Sequence, residues 1–156
     1  MHYIRYRQIH MPQDYPFVVL IIDDEPPICE LLTRVAKTAF SEATFVNTRS
    51  AQETMEYINN EAEPLPQLIL LDVDLHQYPN GLDLLPKLHE CLKGKVPIIM
   101  LTVSNDTDDV RRATAEGAVA FTRKPSELAG WKAYVTMLRQ YWYETARVPL
   151  REDVDW

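Results

Sequence analysis

The sequence predicts a doubly wound α/β fold, a (βα)5 chain with a parallel five-stranded sheet in the order 2-1-3-4-5. Apolar runs alternate with helical patterns from about Pro16 to Thr145. The strongest runs are continuous rather than alternating, as strands buried on both faces require. The polar residues gather directly after the runs, and parallel sheets of this kind bind ligands at the carboxyl ends of their strands, beside the switch point in strand order.

The first strand is Phe17-Val18-Val19-Leu20-Ile21-Ile22, closed by Asp23-Asp24. Pro26-Pro27 opens the first helix, where a missing N–H costs little. Ile28, Leu31, Leu32, Val35, Ala36 and Ala39 give that helix one apolar stripe. A weak strand over Thr44–Val46 follows, then a helix from Ser50, its cap, to Asn60. Glu61-Ala62-Glu63-Pro64-Leu65-Pro66 reads as a surface loop. Leu68–Asp72 is the third strand, followed by turn-rich sequence to Gly81 and a helix through Leu92. Val96–Thr102 is the fourth strand, and a helix over Asn105–Glu116 ends at Gly117. Ala118–Phe121 is a short fifth strand, and a last helix runs from Ser126 to Thr145.

The chain has 156 residues, which suits one domain, expected over 16–146 between an N-terminal arm (1–15) and a C-terminal tail (147–156). Its 16 basic and 23 acidic residues give a formal charge of −7, which argues against DNA as a partner. Cys29 and Cys91 stand far apart and read as free thiols. No apolar run reaches the length of a membrane span and the opening residues lack the apolar stretch of a secretory leader, so a soluble cytoplasmic protein is expected.

Four of the five strand ends carry chemistry. Asp23-Asp24 follow strand one, Asp72 ends strand three, Thr102 ends strand four, and Lys124-Pro125 follow strand five. Singly, an acid at a strand end is commonly a helix cap and a Lys-Pro a turn. Their joint occurrence, in order, points to one site. Three carboxylates so close repel by a few kcal/mol per pair at an effective dielectric of about 20. A hard divalent cation relieves that repulsion, and oxygen ligands favour Mg2+. A carboxylate, a metal, a lysine and a hydroxyl are what phosphoryl transfer needs for positioning and charge neutralisation.

These residues, in LIIDDEP, LILLDVDL, IIMLTVS and GAVAFTRKP, resemble the receiver domain of bacterial two-component response regulators, a flavodoxin-like fold. The likeness spans about Phe17 to Thr145, and the steps of 30 residues from Asp72 to Thr102 and 22 from Thr102 to Lys124 match it. The resemblance implies that Asp72 accepts a phosphoryl group as an acyl phosphate. It implies that Asp24 binds Mg2+ directly, Asp23 largely through water, and Asp72 and the Asp74 main-chain carbonyl complete the ligands. Thr102 and Lys124 would hold the phosphoryl oxygens, Phe121 would stand at the switch-aromatic position, and Lys124-Pro125 is a candidate cis bond.

Four positions depart from the common pattern. Asp74 adds a carboxylate two residues after the acceptor, either near the metal and the water route, altering the lifetime of the phosphorylated form, or as a solvated loop acid. Val103 puts a β-branched side chain where a smaller one is usual, narrowing access to Asp72 or packing on its strand. His76 replaces an expected proline, either as a pH-sensitive group or as an exposed histidine without a role. Phe121 lacks a tyrosine's hydroxyl, so any switch there works by packing.

In the last helix, Leu128, Trp131, Val135, Leu138 and Trp142 form the core stripe. Tyr134, Met137 and Tyr141 form a second stripe, expected as an exposed partner or homodimer surface. No output domain is expected, so the chain would receive its phosphoryl group from a sensor histidine kinase or phosphotransfer protein and signal by contact with a downstream protein. Two other classes are open. One is a scaffold that is never phosphorylated. The other is a phosphatase, because Asp72-x-Asp74 resembles the nucleophile motif of haloacid-dehalogenase-like enzymes, although there the acidic pair follows the nucleophile. An FMN protein is excluded, since Asp-Asp-Glu-Pro would repel phosphate.

Overall fold

Six consecutive apolar residues, Phe17–Ile22, form the first strand, β1, and all six are buried. In the computed structural model, which describes residues 16–104 and 106–145, β1 is followed by α1 (Pro26–Ala39), β2 (Ala43–Thr48), α2 (Ala51–Asn59), β3 (Leu68–Asp72) and α3 (Gly81–Cys91). Then come β4 (Ile98–Thr102), α4 (Thr107–Ala115), β5 (Ala120–Arg123) and α5 (Leu128–Leu138), which continues into a π-helical segment over Arg139–Thr145. The expected arm, the tail and Asn105 lie outside the described residues.

The sheet is parallel throughout, in the predicted order β2-β1-β3-β4-β5. Period-two alternation sends neighbouring side chains to opposite faces. Leu20, Ile22, Ile69, Leu71, Ile98 and Met100 face α2, α3 and α4, while Phe17, Val19, Ile21, Leu68, Leu70, Ile99 and Leu101 face α1 and α5. Both faces are dry, which is why the central strands read as unbroken apolar runs.

Local chemistry sets the helix ends. Pro26 and Pro27 occupy the first turn of α1, and the Ser50 side chain accepts from Glu53 N at the start of α2. At α3, Asn80 and Asp83 form a reciprocal capping box. Pro86 lies inside α3 and has no N–H to give the carbonyl four residues back, Leu82 O. Arg112 of α4 reaches across and donates to Leu82 O at 3.4 Å, and its guanidinium also pairs with Asp83 and Glu116.

Several boundaries differ from expectation: β4 begins at Ile98 and not at Val96, and α5 at Leu128 and not at Ser126. β2 is longer, because its pairing with β1 runs the full six residues although its outer side chains are only half-buried. β5 begins two residues late: Ala118 N still donates to Ala113 O, closing α4 through Gly117 at φ +109°, so extended pairing starts only after Ala118. The last helix widens after Leu138, and the extra residue per turn brings Trp142 and Tyr143 together onto the core. Tyr143 meets Phe17 edge-on at 5.7 Å, and Arg139 clamps Glu42 at the α1–β2 turn at 2.7–3.0 Å.

The second stripe on α5 also needs correcting. Tyr134 is buried, packed edge-on against Trp131 at 6.3 Å, and belongs to the core with Trp131, Val135 and Leu138. These four recur at three- and four-residue spacing, a wider arc than the predicted stripe. Leu128, placed in the core stripe from sequence, is exposed at the first turn, as are Met137 and Tyr141 further along.

Candidate functional site

The ends of β1, β3 and β5 meet around one ammonium group. Lys124 Nζ donates to Asp23 Oδ2 and to Asp72 Oδ2, both at 2.8 Å, and all three side chains are almost wholly buried. Backbone pairing puts each there. Asp72 is the last residue of β3, in register with Leu101. Asp23 follows β1, with its N–H bonded to Thr48 O at 3.0 Å. Lys124 follows β5, with its N–H bonded to Thr102 O at 2.7 Å.

The remaining oxygens are individually committed or exposed to the pocket. Asp23 Oδ1 accepts from Glu25 N at 2.8 Å and Asp72 Oδ1 from Asp74 N at 3.0 Å. Asp24 Oδ2 lies 3.0 Å from His76 Nδ1, while Asp24 Oδ1 is buried with no hydrogen-bond partner among the described residues. Asp23, Asp24 and Asp72 each present a carboxylate oxygen, all within 4.8 Å of one another. A buried, unbonded carboxylate oxygen beside two other carboxylates is the donor set a hard divalent cation takes, so these residues fit such an ion.

Burial pushes the Asp72 carboxyl up to about 6, against the hydrogen bonds from Lys124 and Asp74 N, and the Asp23 charge adds to the rise. Burial works against the Lys124 ammonium, yet its hydrogen bonds to Asp23 and Asp72 outweigh that and hold it above the ordinary lysine value. The exposed His76 ring is raised by its hydrogen bond to Asp24, with the Asp24 and Asp74 charges adding.

Thr102 is buried at the end of β4, and its Oγ1 accepts from Ser104 N at 3.0 Å, with no acceptor for its hydroxyl hydrogen among the described residues. Phe121 is half-buried, in register with Met100 and packed against the α3–α4 face of the core. The Asp74 side chain is exposed and turned toward His76, not into the three carboxylates. Val103 is 77% exposed. It does not pack on its strand; with Arg123, Lys124, Pro125 and Ser126 it lines an open depression of about 620 Å³ beside the lysine. The Lys124-Pro125 bond is trans, and among the described residues the cis peptide is Tyr78-Pro79.

Sequence reasoning missed two supporting side chains, Asn47 and Asn80, and left the part of a third undecided. The Asn47 amide donates to the carbonyls of Ile21, Asp23 and Thr48 at 3.0–3.2 Å, stitching the ends of β1 and β2 beneath the acidic pair. Nothing in the sequence marks it. Asn80 Oδ1 accepts from Leu75 N and Gly81 N and shapes the loop after Asp72; its place three residues before Asp83 was the available signal. His76, an open question in the sequence, is engaged with both Asp24 and Asp74.

With that geometry in place, comparison with known proteins is specific. The family model of the response regulator receiver domain matches residues 19–136. The response regulator Rcp1 of Synechocystis sp. is 26% identical over 139 residues, covering 86% of this chain and 94% of Rcp1. The transcriptional regulatory protein DcuR of Escherichia coli (strain K12) is 30% identical over 132 residues, covering 80% of this chain and 54% of DcuR, so the chain spans about half of that regulator. Among solved structures, the Mn2+-bound form of response regulator Rcp1 superposes with a TM-score of 0.75 at 26% identity, covering 86% of this chain and 99% of that one. The phosphorylated cyanobacterial phytochrome response regulator RcpA gives a TM-score of 0.76 at 22% identity over the same shares, a likeness of fold.

Proposed function

The chain belongs to the response regulator receiver family of two-component signalling, and from that premise we propose that Asp72 is its phosphoacceptor, with Mg2+ as the working cation. The observation that carries this reading is the single Lys124 ammonium at 2.8 Å from both Asp23 and Asp72, buried at the carboxyl edge of the sheet. A histidine kinase or a phosphotransfer protein is the donor. The P–N bond of its phosphohistidine breaks as a P–O bond to Asp72 forms, and the imidazole leaves carrying the electron pair.

Each group has a part that its surroundings support. Asp24, Asp23, Asp72 and the Asp74 main-chain carbonyl would hold the cation, which when bound neutralises charge on the acceptor and the phosphoryl oxygens. Lys124 is kept cationic by its two acids and can follow Asp72 to the transferred group. Thr102 has a free hydroxyl hydrogen with which to bond a phosphoryl oxygen, at the cost of the bond from Ser104 N. Phe121, in register with Met100, would repack when Thr102 moves, and its half-buried position supports that part. The depression lined by Val103 and Arg123 is the open side from which a donor approaches.

Loss of phosphate from Asp72 by its own hydrolysis belongs to the same reading. The output is protein contact, and among the described residues no helix is long and apolar enough to cross a membrane. Met137 and Tyr141, exposed along α5, support a surface for a second copy of this chain; Tyr134 is withdrawn from it by burial.

The test is intact mass after incubation with acetyl phosphate and Mg2+, beside Asp72→Ala and a metal-free sample. One labile phosphoryl adduct that needs both Asp72 and metal is expected. No adduct, even with a histidine kinase as donor, overturns the reading in favour of a docking scaffold.

A further inference from the structure

His76 stands at the edge of the three carboxylates, in contact with one of them. The residue follows Asp74 in the loop after β3, yet its ring crosses to the acidic pair after β1, with Nδ1 3.0 Å from Asp24 Oδ2. Two ligands at right angles on a cation with bonds near 2.1 Å are about 3 Å apart. The imidazole and the Asp24 carboxylate therefore have the spacing of neighbouring ligands, while His76 stands outside the set of oxygens that Asp23, Asp24 and Asp72 bring within 4.8 Å of one another, so the ring must close toward that set. The same Asp24 has its other oxygen buried and unbonded, beside the oxygens of Asp23 and Asp72.

The loop holds the ring in this place at a cost. His76 adopts φ +56°, a left-handed conformation uncommon outside glycine, which histidine takes more readily than most side chains, as asparagine and aspartate do. Its main-chain N–H is fixed by Asp74 Oδ1 at 2.8 Å, and its second ring nitrogen, Nε2, lies 3.4 Å from Asp74 Oδ2. Asp74 thus fixes the backbone of His76 and lies beside Nε2, while Nδ1 donates to Asp24 Oδ2, a hydrogen that a bound cation would have to displace. Carboxylate, histidine and metal in that sequence is how proteins orient an imidazole ligand. Strained backbone held by a side chain of the same loop is what a ligand clamp shows.

Resting on the reading above that the three acids hold a divalent cation, we propose that His76 is a nitrogen ligand of that cation, oriented by Asp74. An all-oxygen set suits Mg2+; one imidazole moves the preference toward first-row transition cations such as Mn2+. Asp74 is then a positioning residue in addition to any ligation by its main chain.

The experiment is pulsed EPR of Mn2+ added to the whole chain at pH 8, with a parallel sample carrying 15N-labelled histidine. Calorimetric titration with Mn2+ and with Mg2+ accompanies it. Nitrogen modulation is expected that changes with the isotope and disappears in His76→Asn, a substitution that keeps the left-handed backbone accessible. His76→Asn should weaken Mn2+ binding about tenfold or more and Mg2+ binding much less; Asp74→Asn should weaken Mn2+ in the same sense. Mn2+ bound with no histidine nitrogen, and with equal affinity in His76→Asn, overturns the ligation and leaves an all-oxygen pocket standing. Failure of the wild-type chain to bind either cation overturns both the ligation and the metal dependence beneath it.

Discussion

Asp72 and Gly81 are in contact through the main chain: a β-carbon on Gly81 would stand 1.8 Å from Asp72 O. It would also meet Val73 O at 2.8 Å, while Gly81 N donates to that same oxygen at 3.1 Å. The first turn of α3 thus abuts the end of β3, and any side chain at 81 must push the acceptor strand and the helix apart. Gly81→Ala should lower stability by on the order of 3 kcal/mol or more and weaken cation binding with it. Urea denaturation and a Mg2+ titration check this; a variant of wild-type stability would mean that the loop yields freely.

Asp72 carries a stability cost that depends on pH. Its carboxyl titrates near 6 in the folded chain against an ordinary value of 3.8, so between those values the folded state binds more protons than the unfolded one. Stability without metal therefore falls as pH rises from about 4 to about 6, by up to about 3 kcal/mol, and stays lower above it. Asp72→Asn should be more stable than wild type at pH 7.5 in EDTA, and that advantage should shrink toward pH 4.5. Urea melts at the two pH values measure it, and an advantage of constant size would contradict the assignment.

The phosphorylated form should last longer in Asp74→Asn. The Asp74 carboxylate is exposed at the rim of the site, where it can accept a hydrogen bond from an incoming water. An amide accepts more weakly, so the decay of the acyl phosphate, followed by intact mass after removal of the donor, should slow several-fold. An unchanged half-life would remove Asp74 from the water route.

Pro86 and Arg112 should prove coupled. Proline leaves Leu82 O without its helical donor, and Arg112 takes that oxygen from α4. Pro86→Ala restores the helical donor and should raise stability by on the order of 1–3 kcal/mol. Arg112→Ala should cost about 1 kcal/mol in the wild-type background and less in Pro86→Ala. A double-mutant cycle by urea denaturation reads the difference, and strict additivity would deny the coupling.

A second copy docking on α5 should depend on Met137 and Tyr141. Light scattering of the chain with and without a phosphoryl mimic, beside Met137→Glu and Tyr141→Glu, tests it. A monomer throughout at high concentration would leave that face to another partner.

The central strands were legible because a parallel sheet buried on both sides writes an unbroken apolar run, as in Phe17–Ile22 and Leu68–Leu71. The strand ends followed, and with them Asp23, Asp72, Thr102 and Lys124. Edges were harder. β2 and β5 are half-exposed, so their composition does not separate strand from loop, and β5 was placed two residues early because the closing turn of α4 consumes Ala118. Tyr134 was misplaced because helical spacing marks the centre of an apolar arc and not its width, and the buried arc of α5 takes in Tyr134 beside Trp131 and Val135. The roles of Asn47 and His76 depend on contacts 24 to 52 residues away in sequence, which no local pattern carries.

Helix α4 buries one residue, Ala113, where the other α-helices bury three to five. Little apolar surface would have to meet water if it rotated or frayed, so its opening free energy should fall well below that of the whole domain. Its amides should exchange with solvent early, ahead of those in β1, β3 and α3. The acceptor sits on the middle strand, where displacement would tear two ladders at once. Thr102 leads instead, through Ser104, to the thinly anchored helix. A disturbance at the site therefore has one inexpensive direction in which to spread, and a binding partner that reads α4 would be sampling the softest mode of the molecule.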